Sequence, residues 1–216
     1  MLKLIIFDCD GVLFESREAN RHYYNHLLAH FGCPPMSEED VDYVHIHNVF
    51  ESVTHIFRNH PQVDMEAVDR YRAQLSYDPF LQYMIMEPDL MDFLQIIKPR
   101  FHTAISTNRT TTMELILDIF KLRPWFDMVV TALTAGRPKP APDGLHMILD
   151  RFGVRVDEAI YIGDSTVDRD HCQSVGMELI AFKNPDLEAN YHVRRFMDIL
   201  DLPPLRAAQN SAATES

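Results

Sequence analysis

Two carboxylates, Asp8 and Asp10, stand two positions apart directly after a short apolar run, and Gly11 follows at once. A carboxylate can attack an electrophile or hold a cation, and a neighbouring one can move the proton of a leaving or attacking oxygen. Taken alone, the stretch also reads as a strand ending in an acidic turn, with Asp and Gly serving loop geometry. Polar residues of complementary kinds recur later, as Thr107-Asn108, as Lys139, and as Asp164 with Asp168. Carboxylates converging on one point repel one another unless a cation sits between them, and Mg²⁺ suits an all-oxygen donor set. The Thr107 hydroxyl, the Asn108 amide and the Lys139 ammonium are donors. Donors around a carboxylate–metal centre make a site for an anion with several oxygens, and phosphate fits.

These residues need elements that bring them together. Leu4-Ile5-Ile6-Phe7 is apolar at every position, as expected of a strand buried on both faces of a parallel sheet. Further strands are predicted at 101–106, 128–130, 159–162 and 179–182, alternating with helices whose apolar faces include Phe93 and Leu94, Ile116 and Ile119, and Leu145 and Ile148. Such alternation argues for right-handed βαβ units, with ligands bound beyond the carboxyl ends of the strands. Each chemistry-bearing group falls at such an end.

Residues 14–85 have a different rhythm. Tyr24, Leu27, Leu28 and Phe31 are at helical spacing, as are Val53, Ile56 and Phe57, and strand signal is scarce. The organisation predicted is an α/β core from 1–13 and 86–205, an α-helical insert from 14–85, and a small, polar, frayed tail from 206–216.

Composition narrows the field of partners. Among 216 residues, 20 Lys and Arg stand against 32 Asp and Glu, and no basic run stands out, which argues against nucleic acid. An anionic substrate would have to be held by local positive groups against the overall charge of −12. Cys9, Cys33 and Cys172 have no CxxC spacing and cannot all pair, which fits a reducing compartment. With no signal-peptide core and no run of about 20 apolar residues, the expectation is a cytoplasmic protein without a membrane partner.

In order along the chain, Asp8-Cys9-Asp10-Gly11-Val12, Thr107-Asn108, Lys139-Pro140 and Gly163-Asp164-Ser165-Thr166-Val167-Asp168 resemble the four motifs of the haloacid dehalogenase (HAD) superfamily. The helical insert is similar to the cap of the subfamily that includes phosphoglycolate phosphatases and β-phosphoglucomutases. The resemblance implies a three-layer, Rossmann-like α/β core with a central parallel sheet and a small α-helical cap. It implies Asp8 as nucleophile, forming an aspartyl-phosphate, and Asp10 as acid and then base. Mg²⁺ would be held by Asp8, Asp164 and the backbone carbonyl of Asp10, with Asp168 orienting metal waters or Lys139. Thr107, Asn108 and Lys139 would bind the phosphate oxygens. A shift of one residue would make Ser106 the ligand in place of Thr107, although alternation along the strand sends Ser106 to the other side. Asp10, where haloacid dehalogenases and phosphonatases lack an acid, favours phosphate esters.

Substrate choice would fall to the insert. Arg17, Asn20 and Arg21 follow the expected hinge, and His45, His47 and Asn48 form a polar cluster beyond it; all six are candidates to meet a small anionic phosphorylated metabolite such as phosphoglycolate, while the first three also suit a solvated helix face and the cluster also suits structural, internally satisfied positions. A sugar-phosphate mutase would need a dedicated cationic cap site, and the insert has Arg58, Arg70 and Arg72 but no lysine between Lys3 and Lys98. A non-catalytic phosphate-binding protein is the third reading.

Overall fold

The computed structural model describes residues 1–214, with side chains through residue 208. Strand β1 (Leu4–Phe7) is followed by the two-residue β2 (Phe14–Glu15) and by four helices, α1 (Arg17–His30), α2 (Glu38–Ile46), α3 (Val49–Phe57) and α4 (Met65–Gln74). The chain returns through β3 (Ile85–Met86) to α5 (Leu90–Ile97), β4 (His102–Ser106), α6 (Thr112–Ile119), β5 (Met128–Val130), α7 (Asp143–Phe152) and β6 (Ala159–Gly163). It ends with α8 (Thr166–Gln173), β7 (Glu178–Phe182), β8 (Tyr191–Val193), α9 (Phe196–Ile199) and α10 (Pro203–Thr214).

Six strands form one parallel sheet in the order β5-β4-β1-β6-β7-β8. The strand carrying Asp8 is thus central, with β4 and β6 on either side. Its alternating side chains feed two cores: Leu4 and Ile6 pack with Leu145 and Ile148 of α7, while Ile5 and Phe7 pack with residues of α5, α6 and α9. With both faces covered, an all-apolar β1 is the sequence this position requires. The three layers predicted are present; β8, only three residues long, was not foreseen.

The two crossings between α1–α4 and the sheet lie side by side, because β2 and β3 pair antiparallel, Phe14 opposite Met86. Local capping sets the helix starts above them. Ser37 and Asp40 form a reciprocal capping box at α2, and the side chains of Asn48 and Asp64 accept backbone hydrogens at the starts of α3 and α4. Among the described residues no helix is long and apolar enough to cross a membrane.

The tail needs correction. Residues 206–214 are not frayed but continue α10, whose residues Leu205 and Ala208 are buried in the main core; residues 215–216 lie outside the described residues. A single buried leucine was too sparse a pattern to register as periodicity. With Leu205 buried in the main core, Leu205→Ala should cost about 2–5 kcal/mol, the usual range for a buried leucine. Urea unfolding checks this, and a loss within about 0.5 kcal/mol, typical of a surface site, would mean the helix is not anchored.

Candidate active site

The carboxyl ends of β1, β4 and β6 open onto a cavity of about 420 Å³ between the sheet and helices α1–α4. Asp8, Asp10, Thr107, Asn108, Lys139 and Asp164 all line it. Backbone geometry makes the convergence possible. Gly11 adopts φ +75°, and a Cβ there would stand 2.0 Å from Asp164 Oδ2, so only glycine lets that carboxylate approach. A Cβ on Gly163 would stand 2.5 Å from the Cβ of Asp168.

Lys139 is the electrostatic centre. Its Nζ lies 2.7 Å from Asp168 Oδ1 and 2.9 Å from Asp8 Oδ1, and it donates to the Tyr161 hydroxyl at 3.1 Å. The Asn108 side chain grips the backbone of Lys139 from both sides, accepting from its N–H at 2.9 Å and donating to its carbonyl at 3.2 Å. Burial alone would lower the ammonium pKa, but the Asp168 and Asp8 carboxylates outweigh it and hold the charge firmly.

The carboxylates respond in different directions. Burial, reinforced by Asp168 and Asp10 and only partly offset by Lys139, pushes Asp8 up to about 7. Asp164 is pushed well above the usual carboxylate range by burial and by Asp168 and Asp8. Asp168 is also buried, but Lys139 and the donors of Ser165 hold it low. Its Oδ2 accepts from Asp164 N, Ser165 N and Ser165 Oγ, an arrangement that also caps α8.

Asp8, Asp164 and Asp168 present oxygens all within 4.8 Å of one another. Asp8 Oδ1 meets Lys139 as an ion pair, but the ammonium is not aligned for a hydrogen bond, so this buried oxygen has no donor. An under-satisfied carboxylate oxygen, beside a second carboxylate that burial disfavours in its charged form, fits a divalent cation bound by oxygen. Asp168, with both oxygens already engaged, fits the supporting position.

The carboxylate of Asp10 is turned to different partners. Its Oδ1 accepts from Ser16 Oγ and, at 2.5 Å, from the guanidinium of Arg109, which is itself buried and sits over the Tyr77 ring. Burial would raise the Asp10 pKa, but Arg109 outweighs it and the net direction is down. Sequence reasoning missed Arg109; its place one residue after Thr107-Asn108 at a strand end was the available signal. Thr107 lines the cavity, whereas Ser106 is buried behind the strand with its Oγ 3.1 Å from His171 Nε2.

The six cap candidates divide. Asn20, His45 and His47 line the cavity. Arg17 and Arg21 do not: Arg17 pairs with Asp42 at 2.5 Å, and Arg21 with Glu38 at 2.8 Å and Glu18 at 3.0 Å, because acids of α2 and of α1 itself lie beside them. Asn48 is buried as the cap of α3, its Oδ1 accepting from Phe50 N and Glu51 N.

A parallel α/β sheet with acids and one lysine gathered at its carboxyl edge, beneath a helical insert, defines a hydrolase class. The model for haloacid dehalogenase-like hydrolases matches residues 5–182, and the chain belongs to that family. It is similar to a phosphoglycolate phosphatase of Aliivibrio fischeri, 26% identical over 83% of each chain, and to the pyrophosphatase PpaX of Bacillus pumilus, 23% identical over 76% of this chain and 75% of the other. Among solved structures, a subfamily IA HAD hydrolase of Geobacter sulfurreducens superposes with a TM-score of 0.81 at 33% identity, covering 93% of this chain and 99% of the other. CbbY of Rhodobacter sphaeroides, in complex with phosphate, shares the fold with a TM-score of 0.79 at 20% identity, covering 94% of this chain and 100% of the other.

His171 offers a test of this buried network. Burial, aided by the Lys139 charge, lowers its pKa from 6.5 to about 4. A depressed folded pKa means the unfolded chain binds the proton first, so the stability tied to neutral His171 is full above pH 6.5 and is lost as pH falls to about 4. The shift corresponds to about 3 kcal/mol. His171→Gln, which keeps a polar partner for Ser106 without titrating, should flatten the decline in unfolding free energy between pH 7 and 4 by roughly that amount. Parallel pH curves for the two proteins would refute the assignment.

Proposed function

We propose that this hydrolase is a Mg²⁺-dependent phosphatase acting on a small phosphomonoester through an aspartyl-phosphate on Asp8. The observation that supports it most is the convergence of Asp8, Lys139, Asp164 and Asp168 beside Thr107 on one cavity, with a buried Asp8 oxygen left without a donor.

Asp8 would attack phosphorus in line, the P–O bond to the leaving alcohol breaking as the bond to the carboxylate oxygen forms. Asp10 is placed two residues on, and would give its proton to the leaving oxygen and then take one from the attacking water. For that it must leave Arg109 and Ser16, so the contacts seen here describe the acid at rest. Lys139 would hold the negative charge on Asp8 and on the transferring oxygens, and the Thr107 hydroxyl and the Asn108 backbone would orient those oxygens. Water attack on the acyl phosphate would return Asp8 and release phosphate. Asp8, Asp164 and the Asp10 carbonyl would hold Mg²⁺, whose charge would offset repulsion between nucleophile and phosphoryl group. Helices α1–α4 would cover the reacting atoms and exclude bulk water.

Two of the relatives are named phosphoglycolate phosphatase and pyrophosphatase, and both substrates therefore enter the test. Purified protein is assayed for phosphate release from 2-phosphoglycolate, pyrophosphate and several sugar phosphates, with Mg²⁺ and with chelator. Release should depend on Mg²⁺ and return when it is restored. Asp8→Asn should reduce kcat by about a thousandfold or more, as loss of a covalent nucleophile does. Chelator-insensitive release, or full activity of Asp8→Asn, would sink the mechanism. Isomerisation of a sugar phosphate with no net phosphate would establish a mutase instead.

A further inference from the structure

Asp164 stands one residue beyond β6, where the sheet no longer holds the backbone. Its peptide groups are held instead by two side chains. Asp168 Oδ2 accepts from the Asp164 N–H at 3.2 Å, and Asn184 Nδ2 donates to the Asp164 carbonyl at 2.7 Å. Among the described residues the Asp164 carboxylate has charged neighbours but receives no hydrogen bond. The aim of that carboxylate is therefore set through its backbone.

Asn184 is fixed in a way that leaves its amide one orientation. Its Oδ1 accepts from the Asp186 N–H at 3.2 Å, closing a turn, and this points Nδ2 at the Asp164 carbonyl. The residue before it, Lys183, turns the chain out of β7 with φ +54°, a left-handed conformation that persists in a lysine where contacts impose it. Two contacts do so here. The Lys183 N–H donates to the Val193 carbonyl at 2.8 Å, and its ammonium pairs with Glu87, a buried acid directly after β3.

We propose that Asn184 is a positioning residue for the cation site: by holding the Asp164 carbonyl, it keeps the adjoining carboxylate turned toward Asp8. This rests on the reading of Asp8 and Asp164 as ligands of a divalent cation. Carboxylates whose oxygens lie within 4.8 Å of one another repel, so Asp164 stays in place before a cation arrives only if its backbone is held. Asn108 serves Lys139 in the same manner, an asparagine side chain gripping the backbone of a site residue distant in the chain. A backbone fixed in advance spares the cation the cost of ordering its ligand.

The test follows binding of Mn²⁺ alone by electron paramagnetic resonance, in which the free-ion signal is lost on binding. The proteins compared are the wild type, Asn184→Ser, Asn184→Ala and Asp164→Asn. Serine can still accept from the Asp186 N–H but is too short to reach the Asp164 carbonyl, so it keeps the turn and removes the brace. The Mn²⁺ Kd should rise about tenfold or more in both Asn184 variants, the usual effect of losing a group that orients a metal ligand, and further in Asp164→Asn. The Mg²⁺ concentration that half-activates phosphate release from 4-nitrophenyl phosphate should rise by the same factor, while kcat at saturating Mg²⁺ stays close to that of the wild type. A merely structural role would lower kcat and leave Kd alone. An unchanged Kd in Asn184→Ser overturns the inference, whatever Asn184→Ala does. If the wild type binds Mn²⁺ but hydrolyses no phosphoester, the phosphatase reading falls and Kd still decides the role of Asn184. If the wild type binds no Mn²⁺, or Asp164→Asn binds it as tightly, the cation reading falls and takes the inference with it.

Discussion

The structure depends on one electrostatic constraint: three carboxylates, Asp8, Asp164 and Asp168, are brought close together at the carboxyl edge of the sheet with one ammonium among them. Burial penalises each charge, and like charges add to the penalty. The surroundings answer each oxygen differently. Asp168 is saturated by Lys139, Ser165 and backbone donors and stays ionised, while Asp8 and Asp164 are left under-compensated and are pushed up. A fully satisfied cluster would be inert. It is the incomplete satisfaction of Asp8 that fits it to a cation and to an electrophile.

Fold and chain geometry serve that constraint at specific points. Placing β1 between β4 and β6 puts Asp8 within reach of residues from both neighbours, which a position at the sheet edge would not allow. Gly11 and Gly163 remove the side chains that would keep Asp164 and Asp168 away. Asn108 spends its side chain on the Lys139 backbone, and so fixes the ammonium indirectly, through a residue 31 positions away in the chain. The helices above are not a separate shell, since Phe14, Tyr23, Tyr24 and Leu27 belong to the same apolar cluster as Ile5 and Phe7.

What could be read in the sequence follows from the same physics. Asp8, Lys139 and Asp164 were legible because a buried parallel sheet tolerates polar residues mainly at its strand ends, so each stood out against an apolar run. Thr107 could be told from Ser106 by alternation alone. Arg109 could be suspected from its place at the end of β4, but its partner could not, because that partner is Asp10, 99 positions earlier. On the insert, a surface arginine and a cavity arginine look alike in sequence. Arg17 and Arg21 are drawn outward by Glu38, while Arg72 lines the cavity, and only the packing of α2 and α4 separates them. The helix α10 was hidden by its small residues, and β8 by its length.

The sign of the cavity explains how so acidic a chain could accept an anion. Its lining carries three acids, Asp8, Asp10 and Asp164, and three bases, Arg72, Arg109 and Lys139, and with Asp8 and Asp164 pushed up the local charge is far less negative than the −12 of the whole chain. A divalent cation beside Asp8 and Asp164 would turn that balance positive where a phosphate would lie, and low-dielectric walls would strengthen the effect. Without it, a phosphate would meet the burial and the like-charge repulsion that raise the Asp8 and Asp164 pKa values. Cation and anion should therefore bind cooperatively, each relieving a penalty that the other would meet alone.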